Sequence, residues 1–338
     1  MQIFHSSRQK SHSPVREFHN GDWTDFAEVP RRIDAMLAAL GDTIEPDDHG
    51  RWPLIAVHDP AYVDFLATAH DEWLASGRSG DALGYAFPVA RRRALNLDRI
   101  DAKLGRFGFD VATPIAAGTW EATYWSAQAA LSAAQALIDD DARRSFALTR
   151  PPGHHAGADY YGGYCYLNAA AIAAQHLRSV TGKRVAILDV DYHHGNGTQD
   201  IFYERGDVFF TSIHADPAMD YPFFWGHADE RGEGDGKGAT LNLPLARGIT
   251  WPDYERALGQ ALQAIAAWGA EVLVVSYGAD THEDDPISYF QLTTQDMRRM
   301  GTAIAAARLP TVGIMEGGYA VDVLGANVSA FVEGLDAG

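Results

Sequence analysis

Five short runs, Ser145 to Thr149, Arg184 to Leu188, Val208 to Ile213, Val272 to Tyr277 and Thr311 to Met315, are mostly apolar, several of them at nearly every position, and all but the first carry two or more β-branched residues. A strand with one face in water alternates polar with apolar residues, so a run that does not alternate has to be covered on both faces. Between the runs lie longer stretches of helical period, at Trp120 to Ile138, Asn168 to Val180, Trp251 to Trp268 and Thr294 to Ala307. The alternation predicts an α/β fold: a single domain with a central, mostly parallel sheet flanked by helices. Thr250 before Trp251-Pro252-Asp253, and Thr293 or Thr294 before Gln295-Asp296, supply N-caps with an acid in the first turn. No Ser/Gly/Pro-rich tract divides the 338 residues, so they read as one domain.

The polar residues fall in a regular place. Pro151-Pro-Gly-His-His155 follows the first run, Asp189-Val-Asp191 the second, Gly278-Ala-Asp280 the fourth and Glu316-Gly-Gly-Tyr319 the fifth. In an open parallel sheet the carboxyl ends of the strands share one edge, and ligands bind there. Asp191 and His193 stand two apart just past a strand, and Asp280 arrives from another strand end. Two carboxylates and one imidazole suit Zn²⁺ and leave a position open for water and substrate; Fe²⁺ or Mn²⁺ could use the same ligands. The single cysteine, Cys165, excludes a thiolate cluster and an intrachain disulfide and is expected to pack as a small buried hydrophobe.

His154 and His155 sit on a Pro-Pro-Gly turn whose prolines restrict the backbone, which suits an acid/base pair. Tyr319 follows two glycines and is a candidate donor to a developing oxyanion. Water activation, a proton carrier and an oxyanion donor are what hydrolysis of an amide at neutral pH requires.

Acidic residues outnumber Lys plus Arg by 45 to 27, a formal charge of -18. That disfavours nucleic acid and anionic membranes as partners and would draw in a cationic substrate, although acidity also serves solubility alone. The start of the chain has no basic stretch leading into an apolar core, and no window approaches about 18 uninterrupted apolar residues, so a cytoplasmic protein is expected.

Taken together, Arg150-Pro-Pro-Gly-His-His-Ala156, Gly162-Gly-Tyr-Cys-Tyr166, Asp189-Val-Asp-Tyr-His-His-Gly-Asn-Gly-Thr198 and Met315-Glu-Gly-Gly-Tyr319 resemble the histone deacetylase superfamily, of arginase-deacetylase fold. The likeness extends over nearly the whole chain. It is greatest to the bacterial acetylpolyamine amidohydrolases, through Gly197 to Asp207, Asp285-Pro-Ile-Ser288 and the long segment before Gly118.

The resemblance implies zinc on Asp191, His193 and Asp280, His155 as general base and acid, and His154 as its electrostatic partner. Asp189 would orient His154 and Asn196 would orient His155. Tyr319 would bind the substrate carbonyl. A structural K⁺ would lie against Asp189, Ser212 and backbone carbonyls of Asp191, His193 and Ile213. Tyr164 and Tyr221 would wall an acyl tunnel, and Gly163 would offer its carbonyl to the substrate amide.

Residues Gly77 to Gly118 show neither period. By resemblance they are an inserted loop that narrows the entrance and makes the enzyme a homodimer, with Arg91-Arg92-Arg93 as a solvated or subunit-contact surface. Related enzymes carry two acids in this loop that meet the distal amine of the substrate. Here Asp101 stands at one position and Ala112 at the other, with Asp110 close by, and His282 stands where an apolar or aromatic residue is usual, within reach of substrate.

The expected activity is therefore release of acetate from an acetylated diamine or polyamine such as acetylputrescine, acetylcadaverine or acetylspermidine. The alternative is a deacetylase of protein acetyl-lysine or of another acyl amine, which shares the catalytic residues and differs in access. A silent binding protein would be expected to lack part of the triad, and a dinuclear arginase-type site would need more ligands than Asp280-Thr281-His282 adds.

Overall fold

The computed structural model describes residues 1–89, 95, 97–139 and 143–337. In chain order the strands are β1 (Gln2–Phe4), β2 (Arg16–His19), β3 (Asp22–Asp25), β4 (Arg144–Ala147), β5 (Val185–Asp189), β6 (Val208–Ala215), β7 (Thr240–Leu245), β8 (Val272–Tyr277) and β9 (Thr311–Met315). The helices are α1 (Arg31–Leu40), α2 (Trp52–Ile55), α3 (Pro60–Ala75), α4 (Ile100–Phe107), α5 (Thr119–Asp139), α6 (Ala169–Thr181), α7 (Asn196–Phe202), α8 (Trp251–Trp268), α9 (Thr294–Ala305) and α10 (Val321–Asp336). Seven strands form one sheet in the order β1-β4-β9-β8-β5-β6-β7, with every pairing parallel, and β2 and β3 make a small antiparallel hairpin.

The five apolar runs are β4, β5, β6, β8 and β9, the inner strands, and the period-2 geometry of a strand divides their side chains between two cores. Val185, Ile187, Val272 and Val274 face the layer of α5 and α6. Ala186, Leu188, Leu273 and Val275 face α1, α8, α9 and α10. Both edge strands escape the sequence signal, because β1 is only three residues long and β7 carries Asn242 and Pro244 among its apolar positions. Thr293 caps α9 in a capping box with Asp296, whereas Thr250 precedes α8 without a side-chain cap bond.

Residues 77–118 are fastened to the body. Ala82 and Ile115 pair as an isolated bridge, and Ile100, Leu104 and Phe107 of α4 are buried against Tyr62, Phe65 and Tyr161. The block Arg91-Arg92-Arg93 lies outside the described residues.

Beside the sheet a charged cluster is fully enclosed. Glu28 meets the guanidinium of Arg32 at 2.7 Å and that of Arg150 at 2.8 Å, and His12 lies 3.6 Å from its second oxygen. Removing one partner of such a set leaves charge buried without compensation, at a cost of about 3–5 kcal/mol. Glu28→Gln should accordingly lower the urea midpoint by that much stability; an unchanged midpoint would show that the backbone carbonyls around the two arginines suffice.

Candidate active site

β4, β9, β8 and β5 are consecutive neighbours in the sheet, so the segments that leave their carboxyl ends converge. The turn after β5 places Asp191 and His193, and the turn after β8 places Asp280. One potential ligand atom from each of the three lies within 4.8 Å of the others. His193 Nδ1 is 3.1 Å from Asp280 Oδ2 and 3.5 Å from Asp191 Oδ1. The backbone N–H groups of Gly317 and His193 donate to Asp191, at 2.9 Å each, and that of Tyr192 donates to Asp280 at 3.0 Å. The carboxylates close in on glycine backbone: a Cβ on Gly278 would stand 2.0 Å from Asp191 Oδ2 and 2.6 Å from Asp280 Oδ1.

Asp191 and Asp280 are both buried without a Lys or Arg partner among the described residues. Burial, and then the charge of Asp191, push the Asp280 carboxyl up to about 7. Two buried anions forced together beside an imidazole are the environment that a divalent cation relieves, so the donor set fits a zinc-type ion with three protein ligands.

The loop after β4 carries the two neighbouring histidines, with ring centres 4.0 Å apart. Glu316, just past β9, accepts from the backbone N–H groups of Gly153 at 2.7 Å and His154 at 3.2 Å, and so locks this loop to the next strand end. His155 Nδ1 is 2.7 Å from Asn196 Oδ1, and because an amide oxygen only accepts, Nδ1 carries the proton and Nε2 keeps its lone pair. Burial, together with His154 and His193 as neighbours, holds the pKa of His155 well below the usual histidine value. His154 Nδ1 is 3.0 Å from Asp189 Oδ2. Burial opposes its charge, but Asp191 and Asp189 outweigh that and push His154 up to about 10. One imidazole is thus held neutral and its neighbour charged.

Tyr319 stands on the loop after β9. The side chain of Asp285 accepts from its backbone N–H at 2.7 Å, Arg32 donates to the carbonyls of Gly318 and Glu316 at 2.6 and 2.7 Å, and the Arg32 guanidinium lies over the phenol ring at 4.9 Å.

A cavity of about 460 Å³ opens above these groups, with His155, His193 and Tyr319 in its wall. Gly163, Tyr164 and Tyr221 line it as well. Tyr164 packs edge-on against Tyr319 at 5.5 Å and donates to Glu17 at 2.9 Å, while Tyr221 meets His155 edge-on at 5.1 Å. Asp110 accepts from Gly163 N–H at 2.6 Å and from the Tyr221 hydroxyl at 2.9 Å, tying the loop to both.

A family model, the histone deacetylase domain, matches residues 26–335. The chain belongs to the histone deacetylase family. Acetylpolyamine amidohydrolase 1 of Pseudomonas aeruginosa is 49% identical over 339 residues, covering 98% of each chain, and acetylpolyamine amidohydrolase of Mycoplana ramosa is 45% identical over 99% of each. The crystal structure of an acetylpolyamine aminohydrolase from Burkholderia pseudomallei superposes with a TM-score of 0.95 at 42% identity, covering 100% of this chain and 99% of that one. This deacetylase-family member is a hydrolase of linear amides, from a metal-dependent family, and no helix among its described residues is long and apolar enough to cross a membrane.

Two residues expected at the deacetylase's pocket lie outside its lining. Asp101 does not line the cavity of its own chain: it is on α4, and the guanidiniums of Arg78 and Arg99 hold its carboxylate at 2.6 and 2.7 Å. His282 is buried outside the cavity lining, where its Nδ1 accepts the N–H of Asp284 at 3.2 Å. Ala112 lines the cavity as placed, and Asp110 is the loop acid that reaches it. Cys165 is fully buried, its thiol pushed up by burial. The register of β5 on β6 sets Ser212 opposite Asp189, with Ile213 next along the strand, and the Ser212 hydroxyl is 2.9 Å from His214 Nδ1.

Sequence reasoning overlooked Glu28, Arg32 and Glu17. None of them belongs to a motif that can be read locally, since Arg32 reaches its two carbonyl partners across more than 280 residues of chain.

Proposed function

We propose that this chain hydrolyses the acetamide of N-acetylated diamines and polyamines, with Zn²⁺ held by Asp191, His193 and Asp280. The observation that carries the reading is the convergence, on one cavity, of a lone-pair imidazole at His155, a phenol at Tyr319 and a three-ligand acid/imidazole set. The relatives at 44–49% identity are acetylpolyamine amidohydrolases, which supports acetylpolyamines as the substrate class.

Zinc, when bound, supplies a Lewis acid and brings the pKa of water down to about 7. The rest is done by this chain's own groups. His155 Nε2 takes the proton of the attacking water and returns it to the leaving amine, its tautomer fixed by Asn196. His154, oriented by Asp189, keeps a positive charge beside it and so favours a neutral His155. The Tyr319 hydroxyl donates to the acetyl oxygen as that oxygen gains charge. Tyr164 and Tyr221 flank the methylene chain, and the Gly163 carbonyl accepts from the substrate N–H.

A structural K⁺ at Asp189, Ser212 and the carbonyls of Asp191, His193 and Ile213 belongs to the same reading, supported by the β5–β6 register. So does a homodimer, for which Tyr85, Val89, Leu95 and Leu97 provide apolar side chains exposed on the 77–118 segment.

The test is a side-by-side assay of zinc-loaded protein on acetylputrescine, acetylcadaverine, an acetylspermidine and an acetyl-lysine peptide. Turnover of the small amines with little on the peptide is expected. A preference for the peptide would replace this reading with a protein deacetylase. Tyr319→Phe should lower kcat by about 10²- to 10³-fold at unchanged zinc content; an unchanged kcat would remove the hydroxyl from the oxyanion role.

A further inference from the structure

Among the described residues that line the cavity, Arg247 is the single Lys or Arg. It shares the lining with Met219, Phe223 and Tyr289, whose side chains are exposed, whereas His155 and Tyr319 are buried, so it belongs to the mouth and not to the floor. Its guanidinium is fixed on three sides. Nε and Nη2 donate to the two oxygens of Asp220 at 2.9 and 2.8 Å, Nη2 also donates to the Met219 carbonyl at 3.1 Å, and the Tyr289 ring lies 3.9 Å from the guanidinium carbon. Nη1 has no hydrogen-bond partner among the described residues.

The two carboxylates in the lining are in the opposite state. Asp220 accepts one Arg247 N–H on each oxygen, and Asp110 accepts from the N–H groups of Gly163 and Ala112 and from the Tyr221 hydroxyl. The preorganised, unengaged charged donor at the mouth is therefore cationic, and an anion is its complement. A guanidinium edge pairs best with the planar oxygens of a carboxylate. Next to it, each Asp220 oxygen keeps one lone pair beyond its bond to Arg247, an acceptor for an adjacent ammonium.

We propose that the Arg247–Asp220 pair is a recognition site for a zwitterionic head group, so that free ω-acetylamino acids of the Nε-acetyl-lysine type are substrates. The proposal rests on the amide-hydrolase reading of the cavity. Nε-acetyl-lysine carries its carboxylate and ammonium on one carbon, four methylenes from the acetamide, and differs from N-acetylcadaverine only by that carboxylate. Within a polypeptide both head-group charges are lost to peptide bonds, so this site does not extend to proteins.

The experiment measures kcat/KM of the zinc-loaded enzyme on Nε-acetyl-L-lysine, its α-carboxamide and N-acetylcadaverine, for the wild type and for Arg247→Gln. Loss of a charge-assisted hydrogen bond predicts that the wild type favours the carboxylate over the carboxamide by roughly tenfold or more, and that the variant brings this ratio close to one. A wild-type ratio near one, or a preference that survives in the variant, overturns the proposal. The wild-type comparison needs no variant and so stands even if Arg247→Gln folds poorly. If N-acetylcadaverine and both lysine derivatives all go unhydrolysed, the deacetylase reading falls and takes the proposal with it; if only the carboxylate preference is missing, the proposal falls alone.

Discussion

Asp280→Asn is expected to leave a folded chain that binds zinc well below one ion per chain and turns over no faster than background. The amide oxygen can still accept from the Tyr192 N–H, so the turn after β8 keeps its backbone contact. What disappears is one of the two negative charges that make the pocket a cation site. Burial, and then repulsion from Asp191, push the wild-type Asp280 carboxyl up to about 7; with a single carboxylate left that repulsion is gone, and with it much of the reason to bind a divalent ion. Metal analysis of purified variant and wild type, alongside a thermal melt, decides the matter. Full zinc content with normal activity would move the metal to other ligands.

His155→Ala separates the base from the metal. Its side chain contributes no ligand to the three-residue set, so zinc content should stay near wild type while kcat falls by about 10²- to 10⁴-fold. The neighbouring imidazole is poorly placed to take over: His154 has its Nδ1 on Asp189, and the nearby carboxylates favour its charged form. Retention of full activity would overturn the assignment of His155 and turn attention to His154. A joint loss of zinc and activity would show that the histidine loop supports the metal site as well as the proton transfer.

Much of this site was readable before any fold was known, for a physical reason. Its working groups sit within a few residues of strand ends, as in Asp189-Val-Asp191, Gly278-Ala-Asp280 and Glu316-Gly-Gly-Tyr319, and a doubly covered parallel strand announces itself by an unbroken apolar run. Where that signal fails, the reading failed too. β1 and β7 are sheet edges, short or interrupted by polar residues and proline, and α4 lies in a segment where scattered glycines hide an eight-residue amphipathic helix.

The chain by itself therefore determined the α/β architecture and the place of Asp191, His193 and Asp280 at strand ends, because periodicity and strand-end motifs are local, whereas the pairing of His155 with Asn196 was implied only by the family resemblance. The tertiary structure alone decided what surrounds the cavity and what does not. It turned Asp101 to Arg78 and Arg99, brought Asp110 to Tyr221, and set Arg32 under Tyr319 and Arg247 against Asp220. Those contacts join residues from 2 to more than 280 positions apart, Arg32 and Asp101 on helices and the others on loops, whose course follows from packing and not from any repeat in the sequence.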